Sequence, residues 1–375
     1  MPNWDQDFDH LIFVCSGDEE SASLRIHYFN LWRALSRRIG TKLARITPGK
    51  VAGALPPRSC ILFHYDDAPA IAALRRAGWA GQSALSVCFG SDIRAFRLYN
   101  GLRDCVDCFA MPSAHHVATL GLGCVVPARL LREGVDPVVM QAAPVEKPAP
   151  SRNLVWFGYP ESYYLSMRPY APVLARSAAV ERFALITNAR LLDPRAAGPQ
   201  VIPYSTARFA QDLAPFTYAM LSHTPADLQV NTMIKSPNKV ITAIWAGLVP
   251  LASATPNYAA VMEDLGLQRF LFTGPLDLAQ KLDRLSPQAD VAGVDWAGLR
   301  ARLAQSLGDE AVLGDFATLV GDILPQVPSI RRFVATLPAP SGEEDHFLNL
   351  GPALREIVPG AKRALRRRWN LLRGA

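Results

Sequence analysis

Ile234-Lys-Ser-Pro-Asn-Lys-Val-Ile-Thr-Ala-Ile-Trp-Ala-Gly-Leu-Val-Pro-Leu-Ala-Ser253 is the stretch on which the fold turns. Ser236 is a good N-cap, and Pro237 suits the first helical position, where its missing N–H is not needed. Lys235 stands just ahead of that start, and Asn238 and Lys239 fall in the first turn. Free backbone N–H groups, the positive end of the helix dipole and two ammonium groups converge there, which makes a seat for phosphate or carboxylate. A capped surface helix with solvated lysines is the plainer alternative. Gly247 is placed to end the helix, and Leu248–Ala252 is an apolar run suited to a buried strand.

Working outward, the same alternation recurs. Strands are expected at Leu11–Cys15, Lys42–Ile46, Cys60–His64, Ala84–Phe89 and Val106–Met111, with helices at Ser23–Arg38, Ala68–Gly78, Ile93–Gly101 and Ser113–Leu120. Pro137–Arg152 carries four prolines and no periodicity, so it reads as a linker. Strands resume at Leu154–Phe157, Phe183–Thr187, Tyr218–Ser222 and Val249–Ala252, with helices at Ser236–Trp245, Tyr258–Leu265 and Leu276–Leu285. Strands separated by helical segments imply parallel sheets covered on both faces. The expected fold class is α/β, two Rossmann-like domains over 1–140 and 151–336, followed by a linker and tail over 337–375.

The chain has 375 residues with 39 Lys+Arg against 33 Asp+Glu, a net charge of +6. That excess is local. Pro352–Ala375 holds seven cations and one anion, so the rest of the chain is balanced, which argues against a nucleic-acid groove. On a helical wheel of that tail, Leu365, Trp369 and Leu372 share an apolar arc of about 160°, and basic residues hold the other side. A basic amphipathic helix with a tryptophan suits an anionic membrane surface; a helix folded back on the protein and an unstructured tail are the alternatives. No apolar stretch is long enough to span a bilayer, and the acidic N-terminus lacks a secretory pattern. The chain is expected to be soluble and cytoplasmic, with six unpaired cysteines. Cys105 and Cys108, three apart in an alternating run, should point to opposite faces of a strand and share no metal.

Ligands of open parallel sheets bind beyond the strands' carboxyl ends. His64 ends an expected strand beside Asp66 and Asp67, where it serves either as a general base or as a plain hydrogen-bonded histidine. Asp92, in Phe89-Gly-Ser-Asp92, has the same placement and is a second catalytic candidate. Asp5-Gln-Asp7 precedes the first strand and reads as solvated terminus, and His115 and His116 point to different helix faces. Neither a phosphate loop nor a Gly-x-Gly-x-x-Gly after strand one occurs, which counts against an ATPase or a nicotinamide enzyme.

Lys-Ser-x-Asn-Lys followed by Ala-x-x-x-Gly-x-x-Pro resembles the donor-side segment of GT-B glycosyltransferases, in particular family-four-like enzymes of bacterial surface polysaccharide synthesis. Ser-Ala-Ser-Leu-Arg25, Phe109-Ala-Met-Pro-Ser113, Glu133-Gly-Val-Asp136 and Val155-Trp-Phe-Gly158 resemble further pieces of that family in the same order, so the likeness spans roughly 10–325. The resemblance implies two domains facing a cleft and transfer of a hexosyl or related group from a nucleotide-diphosphate sugar to a cell-surface glycan or lipid-linked acceptor. It implies no cofactor and no metal. Lys235, Ser236, Asn238, Lys239, Thr242 and Gly158 become the donor-side candidates. Ser23 and Arg25 become the acceptor-side ones, Arg25 either clamping a phosphate or lying on a helix surface. One departure matters. The family's paired glutamates fall at Ile234 and Thr242 here, so their donor contacts do not carry over, and a non-catalytic GT-B-like nucleotide- or glycan-binding protein is the competing class.

Overall fold

The structure, a computed structural model, describes residues 4–17, 19–22, 24–39, 42–91, 96–142, 146–167, 169–188, 199–223 and 236–338. Two six-stranded sheets form, and every strand pairing in them is parallel. The first contains β1 (His10–Val14), β2 (Leu43–Ile46), β3 (Ser59–His64), β4 (Leu85–Phe89), β5 (Cys108–Met111) and β6 (Ala128–Leu130), in the order β2-β1-β3-β4-β5-β6. The second contains β7 (Asn153–Phe157), β8 (Arg182–Thr187), β9 (Gln200–Pro203), β10 (Tyr218–Leu221), β11 (Val249–Ser253) and β12 (Leu271–Phe272), in the order β12-β11-β10-β7-β8-β9. These are two Rossmann-like domains, each sheet reversing its strand order once: between β1 and β3 in the first, between β7 and β10 in the second.

The pleat sorts the first sheet's side chains with period two. Leu11, Phe13, Leu62, Val87 and Ala110 enter one core, and Ile12, Val14, Ile61, Phe63, Cys88 and Phe109 enter the core on the other face. Cys108 opens β5 and Cys105 lies in the turn ahead of it, off the strand on which both were expected; the two enter opposite cores, and all six cysteines are free. Among the described residues no helix is long and apolar enough to cross a membrane, and no His/Cys/Asp/Glu group could hold a metal.

Three departures from the sequence expectations have physical causes. The helix after β1 opens with a π-helical turn, Leu24–Tyr28, before continuing as Phe29–Ile39. Arg25, Ile26, His27 and Tyr28 are buried in succession along this turn. The expected linker begins with a short helix, Pro137–Met140, because Asp136 accepts the Val138 N–H at 3.0 Å and Pro137 opens the turn. The boundary drawn at 336 puts the last helices in the second domain, but they pack in the first. Asp309–Ile323 lays Val312, Leu313, Phe316, Leu319, Val320 and Ile323 against Phe29, Leu31 and Leu35 of helix Phe29–Ile39. Arg132–Asp315 at 2.7 Å and Arg331–Asp107 at 2.6 Å pin this return. The tail over 352–375 and nearly all of the linker ahead of it lie outside the described residues.

Candidate functional site

The carboxyl ends of the two sheets face each other. Polar contacts between described residues cross from one domain to the other, and these join segments that lie beyond strand ends. Thr206 Oγ1 donates to Glu20 Oε1 at 2.8 Å, Arg25 Nη2 to the Tyr204 hydroxyl at 2.9 Å, and His115 Nδ1 to Asn257 Oδ1 at 2.9 Å, while the Ser236 hydroxyl donates to Glu133. The cleft between them is bounded by both strand-order reversals, the position where open α/β sheets hold ligands. His64 ends β3 at the first reversal, and Gly158 follows β7 at the second.

On the second domain's side, the helix runs Asn238–Trp245, two residues shorter at its start than the sequence suggests, because Pro237 at ψ 13° is not yet helical. Pro237 stands at the N-cap in place of the expected Ser236, whose Oγ accepts the Asn238 N–H at 3.3 Å from one residue further out. Gly247 (φ 70°) closes the other end, with Leu248 N donating to Ala243 O at 2.8 Å. Lys239 folds over the Trp156 indole, Nζ 4.4 Å from the ring centroid. Gly158 sits under that ammonium at φ 146°, a region closed to other residues, and a Cβ there would lie 2.6 Å from Lys239 Nζ. Thr187 fixes the turn by donating to Gly158 O at 2.6 Å. Thr242 is buried in mid-helix. Gly158, Ser236, Asn238 and Lys239 are thus brought to one helix N-terminus, while Lys235 lies outside the described residues.

Arg25 is not available as a phosphate clamp. It is 2% exposed and gives its N–H groups to protein acceptors: Nε and Nη2 to the Asp136 carboxylate, both at 2.9 Å, Nη1 to Glu19 O and Glu20 O, and Nη2 to Tyr204. Burial pulls its pKa down, but the Asp136 hydrogen bonds and charge outweigh it and leave the group well above the ordinary value. Burial also lifts the Tyr204 hydroxyl, to about 12. The π-helical turn that buries this guanidinium overrides both surface readings of it. Ser23 and Asp92 lie outside the described residues.

His64 is 1% exposed, with Nδ1 against Asp66 Oδ1 and Nε2 buried without a hydrogen-bond partner. The histidine bond holds the Asp66 carboxyl below its usual range. Asp67 ties the end of β1 to this loop, accepting the Ser16 N–H at 2.6 Å and capping helix Ala68–Ala77 through Ala70 N at 3.0 Å. Beside His64 lies His27, which sequence reasoning did not single out. Its Nε2 donates to Leu131 O at 2.9 Å and its Nδ1 has no hydrogen-bond partner; burial, with the His64 charge, depresses it to about 3, so it is neutral. Asp66 orients the His64 ring, with Nδ1 toward the carboxylate and Nε2 on the far side.

Glu133, quoted within a motif but given no role from sequence, is 5% exposed and meets Ser236 across the cleft. Its companion in that motif, Asp136, is the partner of Arg25.

No family model and no curated relative matches the chain. Among solved structures it is similar to the N-terminal domain of Candida albicans trehalose-6-phosphate phosphatase, at TM-score 0.51 and 10% identity over 84% of this chain and 97% of that one. It is also similar to a mutant of Thermobaculum terrenum O-GlcNAc transferase, at TM-score 0.47 and 15% identity over 89% and 70%. A third likeness is to a UDP-forming α,α-trehalose-phosphate synthase from Burkholderia xenovorans, at 0.48 and 15% over 79% and 76%. Identities this low speak for fold alone, and that fold, two facing Rossmann-like domains, is GT-B.

Proposed function

We propose that the protein is a glycosyltransferase that moves a sugar from a nucleotide-diphosphate donor to a glycan or lipid-linked acceptor of the cell surface. The observation that carries this is the Lys239 ammonium, held over Trp156 beside Gly158 and the N-terminus of helix Asn238–Trp245, at the reversal of the second sheet. Breaking a glycosyl–diphosphate bond puts negative charge on the leaving group. Preorganised N–H groups and an ammonium facing that charge lower the barrier without reorganisation. Lys235, one residue before Ser236, adds a second cation in sequence. Across the cleft an acceptor-side base takes the acceptor hydroxyl proton as the new C–O bond forms, and the diphosphate leaves with the electron pair of the broken bond; His64, 1% exposed, serves as that base once the arriving acceptor uncovers its Nε2. Asp66 balances the imidazolium charge. Asp92 and Ser23 stand with His64 as acceptor-side candidates by their places after β4 and β1.

The basic arc of 352–375 would hold the cleft at an anionic membrane surface, near a lipid-linked acceptor. Purified protein incubated with a panel of nucleotide sugars, with hydrolysis and transfer both measured, tests the activity. Lys239→Ala should lower turnover and diphosphate affinity together. Thr242, buried where a donor-binding carboxylate stands in the resembled family, favours one alternative: a protein that binds nucleotides or glycans without turnover. Saturable nucleotide binding with no transfer to any acceptor would select that alternative.

A further inference from the structure

Glu133-Gly-Val-Asp136 leads from β6 toward the second domain, and both its carboxylates are buried, at 5% and 3% exposure. Their jobs differ. Asp136 is committed to Arg25 at 2.9 Å and to the Val138 N–H at 3.0 Å. Glu133 instead crosses the cleft to the Ser236 hydroxyl, whose oxygen also receives the first N–H of helix Asn238–Trp245. The backbone between them is held tightly. A Cβ on Gly134 would come 2.4 Å from Asn30 Nδ2 and 3.3 Å from Leu307 O, so the segment is pressed between the helix after β1 and helix Trp296–Leu307.

We propose that Glu133 is a resident anion: through Ser236 it occupies the helix N-terminus that a donor diphosphate requires, and the donor must displace it. This deepens the donor site proposed above and rests on it. Ser236 has one O–H to give, and two anions cannot share it and the same helix end without repulsion. Donor binding therefore removes a polar contact that joins the domains, while Arg25–Tyr204, whose carboxylate partner is already satisfied, stays closed. A ligand restricted to the Glu133-released state binds with an apparent affinity reduced by the fraction of protein in that state.

Glu133→Gln keeps the shape and removes the charge. Calorimetric titration with UDP, ADP and inorganic pyrophosphate, on wild type, Glu133→Gln and Tyr204→Phe, tests the proposal. Glu133→Gln should bind each probe about tenfold more tightly, or about 1.4 kcal/mol, and Tyr204→Phe should stay within about twofold of wild type. The unaltered protein supplies a measurement independent of folding in the variant. On adding pyrophosphate, hydrogen exchange should rise over 131–135 and fall over 238–241. If only pyrophosphate binds, and binds Glu133→Gln more tightly, the displaced anion stands and the nucleotide reading falls. Equal or weaker binding by Glu133→Gln, an exchange pattern without the rise at 131–135, or no binding of any probe overturns the proposal.

Discussion

Arg25→Met should destabilise the protein severely rather than weaken an anion site. The guanidinium and the Asp136 carboxylate are each 3% exposed, and the arginine has protein acceptors on every nitrogen. Removing it leaves a buried carboxylate whose described partner is the Val138 N–H alone. Breaking a buried pair from one side typically costs about 3–5 kcal/mol, because the surviving charge is left uncompensated. At roughly 2–4 °C per kcal/mol for units of 150–250 residues, that is a fall of about 6–20 °C in melting temperature. Differential scanning calorimetry is the suitable assay, since two domains need not unfold in one step. The pair Arg25→Met with Asp136→Asn should recover part of the loss, because no charge is then stranded. Tyr204→Phe, which removes only one neutral partner, should cost about 0.5–1.5 kcal/mol. A single Arg25→Met variant that melts within about 2 °C of wild type, or a double variant that loses the plain sum, refutes the buried-pair account.

Gly158→Ala should cost about 1–3 kcal/mol of stability through its backbone alone, and by pushing Lys239 aside should lower UDP affinity at least tenfold; unchanged affinity would separate Lys239 from the site. His27 gives a signed pH dependence: its folded pKa is depressed to about 3, so its contribution to stability is present above the unfolded value and lost as pH falls toward 3. The limiting slope is about 1.4 kcal/mol per pH unit below roughly 6.5; urea midpoints of His27→Asn between pH 6.5 and 4 should fall less steeply than those of wild type, and parallel curves would count against a neutral buried His27. A chain ending at Asp345 should remain folded but no longer sediment with anionic vesicles, and wild type should release as salt rises; wild type that ignores such vesicles at low salt has another use for its tail.

The strands legible in the sequence are mostly those with neighbours on both sides. β1, β3, β4, β7, β10 and β11 lie inside their sheets and read as continuous apolar runs because both faces are buried. The three that escaped, β6, β9 and β12, are all edge strands, short and partly exposed, so no such run marks them. The donor helix was legible for a local reason: its caps lie within a dozen residues. Arg25 was not, because its partners are 111 and 179 positions away and only the folded chain brings them together. Glu133 and Asp136 stood in a visible motif, but which carboxylate meets which domain is a tertiary fact.

The return of helix Asp309–Ile323 to the first core gives the molecule an order of assembly. The second domain is an insertion: the chain leaves the first domain near 140 and comes back at 309. At roughly 5–20 residues per second, a ribosome needs about 10–30 s to cover that interval. Through all of it, the sheet face carrying Phe13, Leu62 and Val87 waits for the Val312, Phe316 and Val320 side chains that complete its covering. The inserted domain can close its own core first, and the domain synthesised first is the last to finish. Such long-range closure slows folding and leaves apolar surface uncovered meanwhile. Truncation anywhere before 309 should therefore yield not a smaller soluble protein but a chain held by chaperones or lost to aggregation.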